Sequence, residues 1–162
     1  MIVKKKVYFD MDGILSDWVA RFEEEFDVSY EEYNNNPKSY LGIKRQIAQI
    51  PDFYENMNHM KWVCVLNDLV ELGVDVEILT SVGRLNVPSV IAQKKQFLIN
   101  NALGSVPFNY TFSSKEKAYF ANENTILIDD REKSLIPFAE AGGIAIDAND
   151  VNARAMLYNL VK

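Results

Sequence analysis

Five short apolar runs, at residues 7–9, 74–79, 108–112, 125–128 and 144–146, recur along this chain, each separated from the next by sequence of helical period. Rich in Val, Ile, Leu and Phe, and too short to bury themselves as helices, they read as strands. Strand-helix alternation leaves few topologies, because a crossover between parallel strands is right-handed and its helices end up covering the sheet. The expected fold is therefore α/β: a Rossmann-like, mostly parallel five-stranded sheet with helices on both faces. A chain of 162 residues has room for one domain with a sizeable core, and the long stretch between the first two strands reads as an insertion.

In an open parallel sheet, ligands sit beyond the carboxyl ends of the strands. Polar groups collect at those ends here. The first run stops at Asp10 and Asp12, followed by Gly13, which suits a sharp turn. In extended chain the two carboxylates point to the same side. The second run ends in Thr80 and Ser81, with Gly83 and Arg84 beyond. The fourth ends in Asp129, Asp130 and Arg131, and Lys117 stands on a short helical stretch just before it. Clustered carboxylates repel unless compensated, and a divalent cation is the obvious compensator. One carboxylate can then ligate a hard metal such as Mg2+ and attack phosphorus while the other carries a proton.

Between the strands, residues 18–26 form an amphipathic helix with Trp18, Val19, Phe22 and Phe26 on one face. Residues 27–59 are rich in Tyr and Asn, contain Pro37 and Pro51, and show only a weak helical run at 41–50, which reads as an irregular, partly helical insertion. Its Tyr30, Tyr33, Tyr40, Phe53 and Tyr54 either form a satellite core or offer a stacking surface to a flat ligand. A helix is expected over 61–72, with Gly73 as its cap. Cys64, flanked by Trp62, Val63, Val65 and Leu66, reads as a buried structural thiol. Pro88 opens a helix in whose apolar face Lys94 falls centrally, so that lysine either snorkels out or reaches an anion.

Composition narrows the partners. A net charge of -6 argues against a grip on polymeric nucleic acid, and the lone His59 lacks the Cys or His neighbours of a zinc site. The single cysteine fits a reducing compartment. No apolar stretch is long enough to span a bilayer, and the early lysines run directly into a strand, so the expected location is cytoplasmic with no membrane partner. A homodimer is compatible with this composition.

Asp10-Met-Asp12-Gly-Ile-Leu, Leu79-Thr80-Ser81, Lys117 and Leu127-Ile-Asp129-Asp130-Arg131 resemble the four motifs of the haloacid dehalogenase-like phosphatase superfamily, in that family's order and over nearly the whole chain. The stretch from Asp10 to Asp17, Pro51-Asp-Phe53-Tyr54 and Ala141-Gly142-Gly143 are most similar to the 5'(3')-deoxyribonucleotidases. The resemblance implies a single domain with a core at 1–16 and 61–162 and a small helical cap at about 17–60. It implies Asp10 as nucleophile, Asp12 as proton donor and acceptor, Thr80 as a hydrogen bond to a phosphoryl oxygen, and Lys117 as the cation beside phosphate and Asp10. Lys115 competes for that last role, and spacing to Asp129 favours Lys117. Mg2+ would lie between Asp10, the backbone carbonyl of Asp12 and Asp129, with Asp130 ligating it or standing just outside.

Ser81, Arg84 and Lys94 are the candidate contacts to the substrate. Arg84 falls where the nucleotidases carry a phosphate-contacting cation, and a solvated loop charge is the alternative for it. Phe22, Phe53 and Tyr54 would line the lid and stack on a base. The expected activity is a Mg2+-dependent phosphomonoesterase acting on a small phosphate monoester, a (deoxy)nucleoside monophosphate. The alternatives are a phosphatase for another small metabolite or a polynucleotide end, and a non-catalytic binding protein on the same fold.

Overall fold

The computed structural model describes residues 3–162. Its five strands are β1 (Lys6–Phe9), β2 (Asp75–Ser81), β3 (Phe108–Thr111), β4 (Thr125–Asp129) and β5 (Ile144–Asp147). They lie in the order β3-β2-β1-β4-β5, and every pairing is parallel. The sheet is thus wholly parallel, where the sequence asked for mostly parallel.

Alternation along β1 divides the interior. Val7 and Phe9 face a large cluster that includes Trp62, Leu66 and Leu69 of α4 (Trp62–Glu71), Phe97 and Leu98 of α5 (Val87–Asn100), and Leu157 of α7 (Ala153–Val161). Tyr8 faces the other way, joining Leu79, Leu127 and Phe138 of α6 (Glu132–Glu140). A 3-10 turn over Lys115–Phe120 packs beside α6 on that side. Both faces of the sheet are covered, so its strands read as continuous apolar runs.

The strand order reverses at β1, which pairs with β2 on one side and β4 on the other, opening a crevice beyond their carboxyl ends. Phe9 pairs with Ile128, so the next residues of the two strands, Asp10 and Asp129, come side by side. The Asp10 amide donates to the Ile128 carbonyl at 3.0 Å, which extends the pairing into the site.

Between β1 and α4 lie α1 (Trp18–Glu25), α2 (Tyr30–Asn35), a 3-10 turn at Pro37–Tyr40 and α3 (Ile43–Gln49). This insertion is more helical than its composition suggests. The Ser29 hydroxyl accepts from the Glu32 amide at the start of α2, with Glu31 and Glu32 in the first turn where the helix dipole favours them.

Cys64 is exposed, contrary to the expectation of a buried thiol. Sequence neighbours misled here, because on a helix Cys64 shares its face with Asn67, Asp68 and Glu71, all exposed. No helix among the described residues is long and apolar enough to cross a membrane.

Candidate active site

After β1 the chain folds into a tight loop. The amides of Leu15 and Ser16 both donate to the Met11 carbonyl, at 2.8 and 3.0 Å, and the Gly13 amide donates to Ser16 at 2.9 Å. Gly13 takes a φ of +86°, which a residue with a Cβ rarely adopts. The return from the insertion is stitched to the same loop, with Asp17 N–H donating to Asn58 and Met60 N–H to Leu15. Asp17 itself caps α1 through its carboxylate, so the last acid of the opening motif has a structural task.

The loop leaves Asp10 almost wholly covered beside Asp129, which is fully buried. Lys117, 2% exposed, donates to Asp10 Oδ1 and to Asp129 Oδ2, both at 2.8 Å. Lys115 is exposed, so of the two rival lysines it is Lys117 that the 3-10 turn brings to the carboxylates. Asp129 Oδ1 accepts from the amides of Asp130 and Arg131, at 2.8 and 3.1 Å, which fixes its rotamer. Carboxylate oxygens of Asp10, Asp129 and Asp130 lie within 4.8 Å of one another.

Electrostatics at this cluster are unbalanced. Burial, and then the neighbouring Asp129, push Asp10 up to about 8, with Lys117 pulling the other way. Burial and Asp129 likewise push Asp130 up to about 6. Burial alone would lower the Lys117 ammonium, but Asp10 and Asp129 outweigh it and hold the lysine above its ordinary value. Asp130 Oδ1 is buried with no hydrogen-bond partner among the described residues. An orphaned carboxylate oxygen beside two more carboxylates is a hard-donor set that fits Mg2+ or a similar divalent ion. The Asp12 carboxylate stands apart from this set, which leaves only its backbone to serve a metal.

Asp12 turns toward a second lysine. Its Oδ1 accepts from the Ser16 hydroxyl at 3.2 Å and its Oδ2 from Lys94 at 3.0 Å. Lys94, 1% exposed, also donates to Thr80 Oγ1 at 2.7 Å and to the Ser81 carbonyl at 3.0 Å. Sequence reasoning had Lys94 and Ser81 touching substrate. In the structure the three N–H groups of Lys94 all go to protein acceptors, and Ser81 meets Lys94 through its carbonyl, a bond that does not involve its half-buried hydroxyl. Arg84 makes no bond to Asp10, Asp12, Asp129 or Asp130. It is exposed, 3.4 Å from Glu116 and with its guanidinium 5.0 Å from the Phe112 ring.

The aromatic expectation needs correcting at two of three residues. Phe22 and Phe53 are both 0% exposed and present no face to a ligand. Phe22 stacks on Trp18 at 5.1 Å and packs against Phe26 and Tyr33, while Phe53 is covered by Tyr54 and by the Arg21 guanidinium. They form the insertion's own core, because large rings on a short helical segment have nowhere else to bury. Tyr54 and Trp18 are partly exposed, as are Phe26, Tyr30, Tyr33 and Tyr40. Tyr54 stands 5.2 Å from the Lys94 ammonium.

Sequence reasoning missed Ser16, Trp18 and Gln93. Gln93 Oε1 accepts from the Tyr54 amide at 2.9 Å, and its Nε2 donates to the Ile50 carbonyl and to Ser89. It pins the Tyr54 segment to α5. A polar residue next to Lys94 within a buried helical face was the available signal.

These features define an α/β protein whose acidic site lies at the reversal of a parallel sheet. No family model matches the chain, and no curated protein does. Solved structures do match. A haloacid dehalogenase-like family hydrolase from Streptococcus pneumoniae aligns with 97% of this chain and 90% of its own at 12% identity and a TM-score of 0.61. A dehalogenase aligns over 100% and 99% at 12% identity and a TM-score of 0.65, and a phosphoserine phosphatase in apo form over 99% and 92% at 13% identity and 0.56. The chain shares the fold of these haloacid dehalogenase-like proteins.

Proposed function

We propose that this protein is a divalent-metal-dependent phosphomonoesterase that works through an aspartyl-phosphate on Asp10. The observation that carries the reading is the bridge made by Lys117 between Asp10 and Asp129 inside a buried acidic cluster. Asp10, Asp129 and Asp130 set three carboxyl groups around the one buried ammonium of Lys117, an excess of acidic groups that a divalent ion would offset.

Asp10, Asp129 and Asp130 would hold Mg2+, with the Asp12 carbonyl. Bound there, the ion supplies Lewis-acid neutralisation of a phosphoryl group. Asp10 attacks phosphorus, the bond to the leaving alkoxide breaks, and Asp12, which enters this step as the protonated acid, gives that alkoxide its proton. Asp12 then removes a proton from water, which attacks phosphorus, breaks its bond to Asp10 and releases inorganic phosphate. Lys117 stays beside Asp10 through both steps and offsets charge on the phosphoryl oxygens.

Dehalogenases share this fold, but a departing halide needs no proton, whereas Asp12 suits a leaving alkoxide and the buried Lys117 suits a phosphate. For the leaving group we favour a (deoxy)nucleoside, because the half-buried ring of Tyr54 lies against Lys94, the lysine that holds Asp12, and half-buried Trp18 packs on the neighbouring Phe53. A planar base gains on the order of 1 kcal/mol per stacked ring, which a sugar phosphate does not.

The test is a panel of phosphate monoesters with purified protein. Hydrolysis should need Mg2+, stop in EDTA and be abolished in Asp10→Asn while the fold is kept. Full turnover in chelator, or in Asp10→Asn, overturns the mechanism. Equal kcat/KM for nucleotides and sugar phosphates ends the nucleotide assignment alone.

A further inference from the structure

Lys94 is buried in the middle of α5's apolar face with its ammonium covered by the Tyr54 ring, and Gln93 holds the Tyr54 backbone in place. A lysine ammonium has three N–H donors. Those of Lys94 are taken by Asp12 Oδ2, Thr80 Oγ1 and the Ser81 carbonyl, which leaves none for a phosphate. Two of the three acceptors are side chains with a role in the reaction.

We propose that Lys94 is a positioning residue, which sets Asp12 and Thr80 for phosphoryl transfer without itself binding the substrate's phosphate. The proposal rests on the phosphomonoesterase reading. Asp12 is held at both oxygens, by Lys94 on one and Ser16 on the other, so its carboxylate has a single place to stand. Thr80, itself fully buried, accepts from Lys94 at Oγ1, and its hydroxyl proton is donated to no acceptor among the described residues. An oxygen that faces an ammonium must turn its own proton away from it. Lys94 therefore orients Thr80 as a donor. Removing it should let both side chains wander, and catalytic groups lose their effect when they leave their geometry.

Phosphate binding and positioning separate in kinetics. In Lys94→Met, kcat for an alkyl phosphate should fall by about a hundredfold, the low end of what a positioned proton carrier contributes, while KM and the inhibition constant of inorganic phosphate change less than about threefold. The loss should be smaller for an aryl phosphate, whose leaving group needs little protonation, as it should be in Asp12→Asn. The double variant Lys94→Met/Asp12→Asn should be scarcely slower than Asp12→Asn, because a residue acting through Asp12 has little left to act on.

A tenfold or greater rise in KM and in the phosphate inhibition constant with kcat retained would make Lys94 a phosphate ligand and overturn the proposal. So would losses that multiply fully in the double variant. Should Lys94→Met fail to fold, Lys94→Gln, which keeps two donors, carries the same comparison. If the wild-type protein hydrolyses no phosphate monoester, it is the phosphomonoesterase reading that fails. A crystal structure of the Lys94 variant then decides positioning by itself, and an unmoved Asp12 and Thr80 would overturn it.

Discussion

Gly13 packs directly against the Asp130 carboxylate, so closely that a Cβ on Gly13 would overlap Asp130 Oδ2. The absence of a side chain at one residue is what gives a proposed metal ligand its place. Gly13→Ala should act twice. The left-handed φ of +86° strains any L-residue by about 1 to 2 kcal/mol, and the new methyl pushes Asp130 aside. The expected result is a lower Tm together with a higher Mg2+ concentration for half-maximal activity. A variant with wild-type metal dependence would separate Asp130 from metal binding.

Lys117→Met should damage stability as well as turnover. It strands Asp10 and Asp129 in the interior without their shared cation, and removing one partner of a buried ion pair costs about 3 to 5 kcal/mol. Mg2+ should restore part of that loss, since binding to the folded state alone stabilises it by mass action. Thermal unfolding with and without the metal measures both. A Lys117→Met protein as stable as wild type in EDTA would contradict the charge balance drawn here.

The two classes of aromatic should separate cleanly. Phe53→Ala opens a cavity in the insertion's core and should cost about 3 to 5 kcal/mol, read by urea unfolding, whatever the substrate. Tyr54→Phe and Trp18→Ala should leave stability nearer to wild type, and Trp18→Ala should narrow the preference for nucleotides over sugar phosphates. Loss of that preference in Phe53→Ala at unchanged stability would restore Phe53 as a ligand contact.

At the opposite end of the sheet, Lys6 Nζ lies 2.5 Å from Glu77 Oε2, and Asn109 donates to Glu77 Oε1 at 2.8 Å. Burial pushes Glu77 up, but these hydrogen bonds outweigh it and hold the carboxyl below 4.5. A group depressed in the folded state stabilises it above the unfolded value and ceases to do so as pH falls through the folded one. Glu77→Gln should therefore be less stable than wild type at pH 7, by at most about 1 kcal/mol for so exposed a lysine, and the gap should close below about pH 4. Denaturant unfolding across that range checks it, with activity near neutrality unaffected because the pair is remote from the crevice. A gap that stays constant through pH 3 would show that the pair is not the source.

Some of this was legible in the chain. Asp10 and Asp129 could be placed at strand ends because a strand's period and its stop are local signals, and the parallel sheet then brought them together. Lys94 stood out by helical period, but its bonds to Asp12 could not be read, since that contact depends on which strands are neighbours. The aromatics of the insertion were countable, yet which rings would be covered depends on how α1 and the Phe53 segment meet, and that is set by packing among residues far apart in sequence. Ser29 and Glu32 carried a readable start for α2, and the weight given to Pro37 hid it.

The place of β1 between β2 and β4 has a consequence in time. The strand that delivers Asp10 is the first of the five to be synthesised, and its second partner does not begin until Thr125. Pairings of such long range close slowly, and until β4 docks the apolar edge of β1 is open to any other extended segment. Everything between must fold or wait around an unfinished centre. Asp10 meets Asp129 only when β4 docks, so the acidic cluster is assembled no earlier than that pairing.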